Sequence, residues 1–116
     1  METFTYPLCR DLRAVALALP ETDEGTSCVN RAFRARKKNF LFLGEKDGSI
    51  RFMAKLTDSL TAASAMKDPR LVVGKFGWVT LNFPPDDPFD RELLASWVLE
   101  SFRAFAPKTV LRQLDG

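Results

Sequence analysis

A change of hydrophobic period governs what this chain can fold into. Near residue 26 the apolar spacing passes from a helical repeat to a period of two, and it returns to a helical pattern after residue 55. Within that stretch Asp47-Gly48 separates the run Phe40-Leu41-Phe42-Leu43 from Ile50, Phe52 and Ala54, which alternate with Arg51, Met53 and Lys55. An Asp-Gly pair between two such runs is a two-residue hairpin signal, because both positions tolerate the left-handed backbone that the turn needs. An antiparallel sheet with sequentially adjacent strands follows.

The flanking segments complete the pattern. Residues 6–19 predict a helix, with Leu8, Leu12, Val15, Ala16 and Leu19 on one side, Thr5 as N-cap and Pro20 closing it. Residues 21–25 read as an acidic turn, and residues 28–37 as a strand in which Phe33 and Ala35 face away from Arg34 and Arg36. Residues 39–44 and 49–55 supply the next two strands. Thr57 starts a second helix that runs to residue 67, where Asp68-Pro69 breaks it. Residues 71–75 and 78–83 form the last strand pair around Phe76-Gly77, and Pro84-Pro85 stops the sheet. Asp87-Pro88 opens the final long helix, striped by Leu94, Trp97, Val98, Phe102 and Phe105 and ended by Pro107, before a short helical tail over residues 108–114. The order α-β(3)-α-β(2)-α makes an α+β two-layer sandwich: a five-stranded antiparallel sheet covered on one face by helices. One domain accounts for residues 1–116.

Several chemistries lack their residues. The chain has no histidine, which excludes imidazole bases, histidine triads and histidine-ligated zinc. Its two cysteines, Cys9 and Cys28, cannot build a four-thiolate site. The six glycines are isolated and turn-like, so there is no phosphate-cradling loop. Asp86, Asp87 and Asp90 are explained by helix capping, and Glu21, Asp23 and Glu24 by an exposed turn rather than a cation site. The chain reads as a non-enzyme without cofactor or metal. It shows no basic leader, and no apolar run reaches the roughly 18 residues that a membrane helix needs. A cytoplasmic protein with both thiols reduced and unpaired is expected.

Charge is the remaining signal. The net charge is +2, but residues 31–75 carry 11 basic and 4 acidic groups, whereas residues 1–30 and 76–116 are both net acidic. Arg34, Arg36, Lys37 and Lys38, with Arg51, Lys55 and Lys75, are the candidate residues of a basic sheet surface beside Trp78 or Phe76. Cations next to an aromatic ring suit phosphate contact with base stacking. Solvated strand faces and edge lysines that discourage aggregation would give the same pattern, with Trp78 and most phenylalanines in the core.

Leu19-Pro20 followed by acidic residues and Gly25-Thr26-Ser27, the segment Ala32-Phe33-Arg34-Ala35-Arg36-Lys37-Lys38, Phe40-Leu41, Gly77-Trp78-Val79-Thr80-Leu81 and the ending Glu100-Ser101-Phe102-Arg103-Ala104-Phe105-Ala106-Pro107-Lys108 together resemble the MmcQ/YjbR family. The resemblance spans residues 6–112 and implies a two-layer fold similar to secretion chaperones and the frataxin-like group. It also implies DNA binding through a double-wing surface of the sheet, and it brings no catalytic residues. The chain departs from the family pattern at Val29-Asn30-Arg31, where relatives often have a Gly-x-Pro turn, and at Lys37, where they often have glycine. Two functions are carried forward: a nucleic-acid binder using the seven basic residues, and a protein- or peptide-binding adaptor using the exposed sheet face.

Overall fold

The computed structural model describes residues 4–27 and 30–115; Cys28 lies outside them. Strands β1 (Thr22–Ser27), β2 (Asn30–Ala35), β3 (Lys38–Lys46), β4 (Ser49–Lys55), β5 (Leu71–Val73) and β6 (Trp78–Phe83) form one antiparallel sheet in the order β1-β2-β3-β4-β6-β5. Helices α1 (Pro7–Leu17) and α3 (Arg91–Phe105) pack on one face of it, with α2 (Leu60–Ala65) and α4 (Lys108–Asp115) beside them. The α+β sandwich is as the sequence predicts, with one strand more.

That strand is β1, where an acidic turn was expected. Its register sets Glu24 against Phe33 and Asp23 against Arg34, so every acid on it faces the basic strand β2. Low strand propensity is overcome by cross-strand ion pairing. Strand β2, in turn, ends at Ala35 rather than at residue 37. Arg36 (φ 44°) and Lys37 (φ 74°) are both left-handed and make the β2–β3 turn, so Arg36 does not share a strand face with Arg34 as alternation suggested. The Asp47-Gly48 hairpin forms as read, with φ of 53° and 75°.

Alternation sorts β3, β4 and β6 into two faces. Leu41, Leu43, Ile50, Phe52, Ala54, Val79, Leu81 and Phe83 are buried under the helices. The β2–β3 register jumps from Phe33↔Leu41 to Arg34↔Asn39, leaving Phe40 in a bulge. Phe40 is thereby buried as well and meets Phe102 edge-on, with centroids 5.4 Å apart. Ser101 mends the ladder there: its buried hydroxyl donates to the Phe40 carbonyl at 2.5 Å and accepts from the Lys55 N–H at 2.9 Å.

Long-range caps replace the local ones the sequence suggests. Glu45 of β3 accepts from the Thr5 and Tyr6 N–H groups, both at 2.8 Å, so α1 is capped by a strand residue and not by Thr5. Glu100 of α3 accepts from the Thr57 and Ser59 N–H groups and the Ser59 hydroxyl, and α2 starts at Leu60 rather than at Thr57. Helix α3 is capped by Asp90, which accepts from the Glu92 and Leu93 N–H groups at 2.9 and 3.1 Å; Asp87 lies outside it. Leu94, Trp97, Val98 and Phe102 are its buried stripe, as expected. Cys9 is a buried free thiol in α1, and burial, with Glu45 nearby, pushes it up to about 12. Among the described residues no helix is long and apolar enough to cross a membrane.

Candidate functional site

The sheet face away from the helices presents the other half of each strand. Register places Ala32, Phe42, Met53, Thr80 and Val72 in one row across β2, β3, β4, β6 and β5. Gly44, Arg51 and Asn82 form a second row, and Lys55 and Trp78 are paired in a third. The second row borders a cleft of about 340 Å³ lined by Asn30, Lys46, Asp47, Ser49, Arg51 and Asn82. On this face β3, β4 and β6 carry Arg51, Lys55 and Lys46 and no carboxylate.

The structure divides the seven basic candidates. Arg34 donates to Asp23 at 2.8 Å. Arg36 makes a two-pronged contact with Glu21, at 2.7 and 2.9 Å, and also donates to Thr109 of α4. Hydrogen bonds from Arg36, and then from Gln113, hold the Glu21 carboxyl below its ordinary value. On the opposite face Arg13 and Arg31 share Glu24, at 2.8 and 2.7 Å. Burial pushes the Glu24 carboxyl up, yet the two arginines outweigh it and leave it below the ordinary range. Thus Asp23 of β1 and Glu21 just before it neutralise Arg34 and Arg36 and take them out of the free basic surface.

Lys37, Lys38, Arg51, Lys55 and Lys75 have no carboxylate partner among the described residues. Because neighbouring strands run in opposite directions, the β2–β3 turn, the end of β4 and the start of β6 lie at the same end of the sheet. Lys37, Lys38, Lys55 and Lys75 therefore gather there, while Arg51 extends the positive charge along β4. Along an extended strand, Arg51 and Lys55 are about 13 Å apart.

Aromatic rings share that end. Trp78 is half-buried, with its ring centroid 5.8 Å from Phe42 and 5.7 Å from Phe105. The Lys55 ammonium sits 5.4 Å from the Phe105 centroid. Helical periodicity assigns Phe105 to the covering stripe; at the last turn of α3 it packs half-buried against the edge of the core and also meets Trp78. Phe76 stands clear of the core at 83% exposure. These groups can meet phosphates with cations and bases with rings. A signal for the charge pairing lies in the sequence itself: Asp23 and Glu24 stand the right distance from Arg31 and Arg34 for a tight antiparallel pair.

The model of the YjbR family matches residues 17–104, which include all six strands and most of α3. No curated protein matches the chain.

Proposed function

The chain belongs to the YjbR family, and we propose that it is a cytoplasmic, non-enzymatic protein that binds nucleic acid through the open sheet face, in the double-wing manner. The observation carrying this reading is that Lys37, Lys38, Arg51, Lys55 and Lys75, on β3 and β4 and in the turns before β3 and β6, have no carboxylate partner among the described residues, while β3, β4 and β6 present no carboxylate on the open face. Phosphates would neutralise these cations and release condensed counterions, which makes binding electrostatic and salt-dependent. The cations named lie on strands and turns, so base-specific readout is not part of the proposal.

Fluorescence anisotropy with a labelled duplex between about 50 and 200 mM salt tests it, since each duplex phosphate neutralised contributes roughly 0.9 to the slope of log K against log salt. Replacing Arg51, Lys55 and Lys75 together by glutamine should lower that slope by about 2–3. The neutral exchange of Arg34→Gln with Asp23→Asn should leave it unchanged, because that pair carries no net charge. An unaltered slope in the triple variant would clear these residues of the role.

A second reading, a peptide-binding adaptor, draws on strand β5. Val72 and Val73 are 60% and 42% exposed on this sheet edge. An extended segment could add to such an edge through main-chain hydrogen bonds. Wild-type protein that ignores nucleic acid at low salt would favour this reading.

A further inference from the structure

Phe76 is out of place by two independent criteria. Its backbone is left-handed, with φ 59° and ψ 26°, a region that bulky side chains avoid. Its ring is 83% exposed, the highest among the exposed large apolar groups of the described residues, ahead of Val72, Met66 and Val73. Neither feature serves the fold, since the ring packs against none of the core.

The turn that carries it is clamped. Gly74 N–H donates to the Trp78 carbonyl at 2.7 Å, and Leu56 N–H donates to the Gly77 carbonyl at 2.9 Å. Gly77 is itself left-handed (φ 83°), and a Cβ there would lie 2.5 Å from the Leu56 carbonyl oxygen, so the backbone approach needs glycine. The ring is thus held outward by a rigid turn rather than by a loose loop.

Its surroundings state what it could meet. Lys75 precedes it, the Lys55 stem lies 3.7 Å from where a Gly77 side chain would start, and Trp78 follows two residues later. A flat apolar surface next to Lys75, with the Lys55 stem beside the same turn and its ammonium over Phe105, is complementary to a flat base on a negatively charged backbone. In a duplex the base faces are covered by their neighbours, whereas a single strand offers them freely.

Resting on the nucleic-acid reading above, we propose that Phe76 is a stacking platform for an unpaired nucleobase, with Lys55 and Lys75 on the adjoining phosphates, and that the chain prefers single strands to duplexes. Anisotropy with one labelled oligonucleotide of about 15 nucleotides, alone and annealed to its complement, tests this. Wild-type protein should hold the single strand about tenfold or more tighter than the duplex. Phe76→Ala should weaken single-strand binding by roughly tenfold, leave duplex binding and the salt slope unchanged, and be rescued by Phe76→Trp. An unchanged urea midpoint in Phe76→Ala would confirm that the variant folds. Wild-type affinity for single strands in Phe76→Ala overturns the stacking role while leaving the electrostatic reading intact, and so does equal loss on both substrates. Failure of wild-type protein to bind either substrate at low salt overturns both. Sedimentation showing that Phe76→Ala turns an oligomer into a monomer would assign the ring to a protein contact instead.

Discussion

Strands β2 and β4 look alike in the sequence, each alternating arginine or lysine with apolar residues, yet they meet opposite electrostatic fates. The arginines of β2 and its turn face β1 and the residue before it, where Glu21, Asp23 and Glu24 pair with Arg36, Arg34 and Arg31. The cations of β4 lie between β3 and β6, whose open faces supply Phe42, Gly44, Trp78, Thr80 and Asn82. A basic strand becomes a basic surface only when its neighbours leave it uncompensated. Strand β1 therefore acts as an electrostatic lid on one half of the sheet, and the other half stays positive.

The two halves share β3, and the harshest way to break the comparison is to undermine it. Phe102→Ala removes the ring that packs on the Phe40 bulge, and unfolding stability should fall by about 3–5 kcal/mol through lost transfer energy and a cavity. Urea unfolding should show both halves lost in one transition; a change below about 1 kcal/mol would mean that α3 is not tightly docked there.

Glu24→Gln acts on the paired half alone. The Glu24 side chain is only 8% exposed and serves two arginines, so its neutralisation leaves both without their partner. A loss of about 1–3 kcal/mol is expected, against at most about 1 kcal/mol for Asp23→Asn, whose ion pair is open to water. Equal losses in urea titrations would show that burial of Glu24 does not matter.

Acid should weaken the ion pairs of this half first. Glu21 and Glu24 have carboxyl values below the ordinary 4.5 in the folded chain, so on acidification the unfolded chain takes up protons first. Their stabilisation is fully present above about pH 4.5 and is lost as pH falls through the folded values. Asp68, held at about 2 mainly by the Arg70 side chain, extends the decline below pH 3.8. Urea midpoints measured from pH 7 down to about pH 3 should fall more steeply in wild-type protein than in Glu24→Gln.

The smallest effect sharpens the picture at the β2–β3 turn. Lys37 has a φ of 74°, and glycine, frequent at this position in the family the sequence resembles, adopts it without strain. Lys37→Gly should raise stability by up to about 1 kcal/mol while removing one free cation from the sheet end. A lower urea midpoint would show that the lysine side chain stabilises the turn in another way.

The sequence by itself determined the order of every element but β1, the Asp47-Gly48 hairpin, the buried stripe of α3 and the alternation that gives the sheet one apolar face. These are written in local periodicity and turn chemistry, which act over a few residues. The tertiary structure alone decided the sixth strand, because the acidic stretch has no strand propensity until β2 lies beside it. It likewise decided that Glu45 caps α1, that Glu100 holds the approach to α2 and that Phe105, packed at the edge of the core, also meets Trp78. Of the basic candidates, residue type and position along the chain were legible. Which of them remain free was not, since charge compensation depends on the groups that folding brings alongside, and these come from a neighbouring strand rather than from the same segment.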